Sequence, residues 1–165
     1  MTLRLAKISL VLAVALYYAF IVFNNFTDYN SNFQFIRHVL MMDSTSPDNH
    51  AMWRAMNQPA IHTLFYILII CWESLTLILC AWGALRLFRA IRANAQTFHQ
   101  AANVAIAGLS LGLLMWLVAF LTVGGEWFLM WQSKSWNGQE AAFRMFTVVG
   151  IVLLLLVQRE PDDRP

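Results

Sequence analysis

The sequence predicts an all-α protein, a four-helix transmembrane bundle with a short amphipathic helical cap in its first extracytoplasmic loop. Three observations carry that prediction. Hydrophobic residues make up 59% of the 165-residue chain and charged residues 12%, with a mean hydropathy of +0.57; soluble domains hold about 45–50% apolar and about 25% charged residues. Four apolar segments occupy about residues 8–26, 60–82, 103–127 and 141–157. Each is near the roughly 20 residues that cross a bilayer core at about 1.5 Å rise per residue. Finally, the polar residues inside these segments recur at helical spacing, so each helix has a face to turn away from lipid. The length fits a single integral membrane domain.

The first segment, ISLVLAVALYYAFIVFNNF, follows Arg4 and Lys7. It reads as a retained helix and not a signal peptide, because the run is long for a signal core and its A-x-A motif, Ala13 to Ala15, lies mid-run. Tyr17, Asn24 and Asp28 share one face. Asn25-Phe26-Thr27 matches a glycosylation sequon, but it abuts the membrane and carries no weight.

Residues 27–59 form the outer loop. Phe33, Ile36, Val39 and Leu40 recur at helical spacing, which predicts a short amphipathic helix over 32–42 lying at the interface. The run Asp43 to Asn49 is a dense turn signal, and a second short helix from His50 to Met56 should end before Pro59. Trp53 and Arg54 suit headgroup depth.

The second segment, PAIHTLFYILIICWESLTLILCAW, organises the rest. Glu73 sits near its middle, where a charge costs several kcal/mol unless neutralised or paired. Stepping about 100° per residue, His62, Tyr66, Glu73, Thr76 and Cys80 fall near one line. That polar stripe should turn toward other helices. Cys71 and Cys80 are too far apart on one helix to bridge each other and read as small hydrophobes.

The connection after it carries Arg86, Arg89 and Arg92 with no acidic residue, a cluster able to meet anionic lipid. On the third segment Ala105, Gly108, Gly112 and Ala119 form a small-residue seam that lets a neighbour approach closely. By the same periodicity the seam continues to Thr122 and Glu126. Trp127, Trp131 and Trp136 in the next connection fit an aromatic belt. The fourth segment has Arg144 and Thr147 on one face and ends in the charged tail QREPDDRP.

Four crossings put both termini on one side with Arg4, Lys7, Arg86, Arg89, Arg92 and Arg159. The positive-inside rule makes that side cytoplasmic. Asp28, His62, Glu126 and Arg144 then mark the outer ends of their helices, with Tyr66 and Glu73 deeper. Inward-turned stripes would gather these six around an outward-facing polar cavity with Glu73 at its floor and a Glu126–Arg144 ion pair at its mouth. Simpler roles compete: a Glu73 carboxyl hydrogen-bonded to a neighbouring helix, an interfacial Glu126–Arg144 pair, and His62 capping its helix.

Several classes fall away. A formal net charge of +2 does not suggest nucleic-acid binding. His38, His50 and His62 with Asp28, Asp43 and Glu126 are suitable ligand types, yet none has the i, i+4 spacing of a helical metal motif, so no metal site is expected. A haem would want a second matching His. There is no Gly-rich phosphate loop, H-E-x-x-H, G-x-S-x-G or Cys-x-x-Cys. Neither catalytic residues nor a cofactor can be assigned.

Two stretches, NNFTDYNSNFQFIRHVLMMDSTSPDNHAMWRAM (24–56) and GGEWFLMWQSKSWNGQEAAFR (124–144), resemble a bacterial family of predicted small integral membrane proteins, domain of unknown function 2165. Ser44-Thr45-Ser46 departs from that family's pattern after the aspartate. The resemblance implies a multi-pass protein of the bacterial inner (cytoplasmic) membrane and supplies no activity. The residues favour a non-enzymatic accessory or a small-ligand or lipid-binding protein, in the bilayer alone, as a homo-oligomer or with a membrane protein partner. The alternatives are a proton-coupled transporter using Glu73 and a membrane enzyme acting on a lipid or quinone.

Overall fold

In the computed structural model the described residues are 1–159; Glu160 to Pro165 of the charged tail lie outside them. Among the described residues there is no strand. Four helices are long and apolar enough to span a membrane. The first, α1 (Thr2–Thr27), runs past both ends of its apolar segment. It breaks at Asp28 and leads into α2 (Tyr29–Met41) in the first loop. The second span is α3 (Pro59–Arg89), begun by a proline where the missing N–H costs nothing. After α4 (Ala95–Ala101), capped by the Asn94 side chain accepting from the Thr97 amide at 2.8 Å, comes the third span. It is α-helical as α5 (Asn103–Leu114) and continues as a π-helix over Met115–Trp127. The fourth span is α6 (Gln139–Val157).

Three details differ from the sequence reading. The stretch His50 to Met56 holds one 3₁₀ turn, Met52–Arg54, because side chains there compete for the backbone. Asn49 Oδ1 accepts from the Ala51 amide at 2.7 Å, and the Thr45 hydroxyl donates to Met42 O at 2.8 Å. Second, α3 continues two turns beyond Trp82, since nothing after Trp82 breaks a helix and Gly83 serves for close packing. Third, the π-helix closes i→i+5 bonds. Its side chains fall progressively behind the α-helical azimuth, and Thr122 and Glu126 leave the seam for the surface. The Thr122 hydroxyl accordingly donates to Leu117 O, five residues back, at 2.9 Å.

The spans pack mainly α1 against α3 and α3 against α5, with α6 closing on α5 and the π-helix. The α3–α5 contact is backbone-close. A β-carbon built on Gly83 would lie 2.5 Å from the Ala105 Cα, and one on Gly108 would lie 2.9 Å from the Cys80 amide nitrogen. Ala105, Gly108 and Gly112 are buried there and Ala119 is half-buried, so the seam is filled by the protein's own α3. In a bilayer such van der Waals contact holds helices together.

Two cores result. One fills the half of the bundle holding the start of α1 and the end of α6, around Val11, Tyr18, Cys80, Ala105, Leu109 and Val149. The other joins the loops to the opposite ends of the spans, around Ile36, Leu40, Met42, Tyr66, Phe128 and Met130. Basic side chains lock the terminal half. Arg4 donates to Ile91 O at 2.9 Å and Ala93 O at 2.5 Å, and Lys7 donates to Gln158 O at 2.6 Å. Leu16, Phe20, Leu75, Ile78 and Leu154 cover the outside of the spans, the side a bilayer would wet.

Candidate functional site

The predicted stripe on α3 is buried along its length: His62, Tyr66, Glu73, Thr76 and Cys80 are each 4% exposed or less. Where α3 meets α1, Asn25 donates its side-chain amide to Glu73 Oε2. The Asn25 carbonyl oxygen accepts twice, from the Tyr66 hydroxyl at 3.1 Å and from Asn32 Nδ2 of α2 at 2.9 Å. One amide thus connects three helices, through one of its N–H donors and its carbonyl oxygen. Inside a span such groups have no water to fall back on, which makes the full set of partners necessary.

This network borders a half-enclosed cavity of about 320 Å³ in the loop half of the bundle. Tyr17, Asn24, Asn25, Asn32, Tyr66 and Glu73 supply its polar wall; Trp116 and Phe120 of the π-helix supply much of the apolar one. No lining residue is basic. The indole N–H of Trp116 is already given to the Tyr18 hydroxyl at 2.9 Å. Gly112 makes room for that hydroxyl, since a β-carbon there would lie 2.7 Å from it.

Of the six residues predicted to share a cavity, the structure brings together Tyr66 and Glu73. His62 is buried one turn away and does not line the space; its Nε2 bonds Met56 O at 2.7 Å and so ties the first loop to α3. Asp28 is exposed at the α1–α2 break. Glu126 and Arg144 are both exposed, and among the described residues no ion pair joins them. The π-helical register turns Glu126 outward, and Arg144 is exposed on α6 three residues after Ala141, which lines the cavity.

Two contributors escaped the sequence reading. Asn25 was passed over for its neighbour Asn24, although it follows Val11 and Tyr18 at seven-residue intervals and so continues their buried face. Asn32 reaches the site only because α2 folds back onto α1 and α3, which local sequence does not announce. Away from the cavity, His38 stacks on Trp136 at 4.5 Å and pairs with Asp43 at 2.7 Å, joining the first loop to the second. Among the described residues no three His, Cys, Asp or Glu side chains are grouped to hold a metal ion. Chemically, the cavity offers a buried carboxyl, amides and phenols, groups that can bind a hydrogen-bonding ligand.

A family model described as "Predicted small integral membrane protein (DUF2165)" matches residues 3–159. No curated protein and no solved structure matches the chain.

Proposed function

From the premise that the chain belongs to this family of predicted small integral membrane proteins, we propose that it is a non-enzymatic ligand-binding protein whose site is the cavity at Glu73. The observation that carries this is the Asn25–Glu73 contact at a cavity wall. A buried carboxyl in a span is costly, and here it is fixed by one neighbour while its cavity has space beside it. The setting we propose is the bacterial inner membrane with both termini cytoplasmic, supported by Arg4, Lys7, Arg86, Arg89 and Arg92 gathering at the terminal end. The cavity then opens toward the extracytoplasmic side. An accessory role through the glycine seam is less well supported, because α3 already occupies that seam.

Native mass spectrometry of the gently solubilised protein tests the reading. Wild type should retain a non-covalent small-molecule adduct, and Glu73→Gln should lose most of it at an unchanged oligomeric state. Equal adduct occupancy in both proteins, or none in wild type, would sink the proposal.

A further inference from the structure

Arg54, at the loop end of the spans, leaves most of its hydrogen-bonding capacity unused. It belongs to the 3₁₀ turn Met52–Arg54, and its guanidinium carbon lies 5.3 Å from the centre of the Trp53 ring and 4.7 Å from that of Trp127. The two indoles stand nearly perpendicular, at 83° with centroids 5.8 Å apart, and make a corner around it. A guanidinium carries five N–H donors. Here Nη1 donates to Trp127 O at 3.3 Å, Nη2 donates to no described residue, and Nε is buried without a partner. Among the described residues no carboxylate pairs with Arg54. Glu126, next to Trp127 in sequence, is exposed and makes no such pair. A buried N–H left unclaimed by the fold is one of the marks of a site that a ligand completes.

We infer that this corner binds the phosphate of a phospholipid in the leaflet at the loop end of the bundle. Its depth selects that anion. Trp127 ends the third span and Pro59, soon after Arg54, begins the second. The cluster therefore stands where apolar helix gives way to loop, the level at which indoles and lipid headgroups meet. Trp53 is 72% exposed and Met52 beside it 44%, apolar surface that lipid would cover. A guanidinium takes two phosphate oxygens through paired N–H groups, and it can do so while resting on an indole. The rings also hold the cation in place beforehand, so less side-chain freedom is lost on binding. Lys134 and Arg144 are exposed cations without an aromatic ring in such contact. The corner shares no lining residue with the cavity at Glu73, so it is a second site, independent of the ligand-binding reading above.

Native mass spectrometry of the full chain in maltoside micelles tests this with three probes: didecanoylphosphatidylglycerol, didecanoylglycerol and glycerol 3-phosphate. Wild type should hold one phosphatidylglycerol at least tenfold more tightly than the diacylglycerol, which has the same chains and no phosphate. Glycerol 3-phosphate in large excess should not displace it. Arg54→Gln should weaken phosphatidylglycerol at least fivefold, and Lys134→Gln and Glu73→Gln should leave it unchanged. Should Arg54→Gln fail to fold, Trp53→Leu changes an exposed ring of the same corner and should weaken the lipid at least threefold. Diacylglycerol binding as tightly as phosphatidylglycerol overturns the phosphate, and displacement by glycerol 3-phosphate overturns the lipid source. Equal weakening by Lys134→Gln and Arg54→Gln overturns the corner, leaving a general attraction for anions. Loss of the lipid in Glu73→Gln puts it in the cavity, which overturns this inference and leaves the Glu73 reading standing. Full binding by both Arg54→Gln and Trp53→Leu overturns it as well.

Discussion

Asn25 on α1 and Glu73 on α3 meet through one side-chain hydrogen bond, and that bond joins the deepest acid of the bundle to a residue whose carbonyl oxygen already accepts twice. Replacing Asn25 with Leu should therefore strand two buried groups at once, the Glu73 carboxyl and the Tyr66 hydroxyl, while the exposed Asn32 amide turns to solvent. A buried polar group left unpaired costs about 1–3 kcal/mol, whereas hydrogen bonds between membrane helices average only about 0.6 kcal/mol. The stranding penalty dominates. We expect Asn25→Leu to lower stability by about 1–3 kcal/mol and to cost clearly less when Glu73 is also Leu, since the largest orphan is then gone. Detergent-titration unfolding of the four proteins measures this, and strict additivity would refute the coupling.

The α3–α5 contact permits a sharper test. At Gly83 a β-carbon would meet Ala105 backbone at 2.5 Å, whereas at Gly150 it would meet the flexible tip of Leu113 at 3.2 Å. Gly83→Ala should force the helices apart and destabilise by about 1–3 kcal/mol. Gly150→Ala should stay near neutral, because Leu113 can give way and Ala favours the helix over Gly by up to about 1 kcal/mol. Thermal unfolding in one detergent compares them directly; equal midpoints would mean the spans are not packed backbone to backbone here.

The Trp116–Tyr18 hydrogen bond, 2.9 Å across α1 and the π-helix, orients the indole that walls the cavity. Tyr18→Phe and Trp116→Phe should each be destabilising, with a coupling of about 0.6 kcal/mol and no more than about 1.7. A double-mutant cycle by unfolding gives that number. A coupling of zero would mean the two rings are held by packing alone.

These tests probe features of unequal legibility. The four spans were readable because a bilayer demands long apolar helices with every backbone group satisfied internally. The α3 stripe was readable because α3 is regular, so a fixed angular step keeps His62, Tyr66, Glu73, Thr76 and Cys80 on one face. That step failed on the third span, where the π-helix carries Glu126 off the seam that Ala105 and Gly108 obey. Asn24 and Asn25 both line the cavity, and which of the two reaches Glu73 depends on how α1 crosses α3. Asn32 joins them through the fold of a loop helix, information held in long-range contacts and not in local pattern.

The first loop supplies the last prediction. His62 bonds Met56 O at 2.7 Å, and the Met56 amide in turn donates to Leu40 O at 2.9 Å. A buried side chain on a span thus holds the loop's return, and Leu40 anchors that return to the second core. Arg54, two residues before Met56, lies over the Trp127 ring at 4.7 Å and donates to Trp127 O at 3.3 Å, a second and partly exposed attachment of the same return. His62→Ala should leave Met56 O unpaired and let residues 42–58 open locally while the spans stay folded. Limited trypsin digestion should then cut after Arg54 several-fold faster than in wild type, at an unchanged unfolding midpoint for the spans. Unaltered cleavage would show that the loop is held elsewhere, with the His38–Trp136 stack as the next place to look.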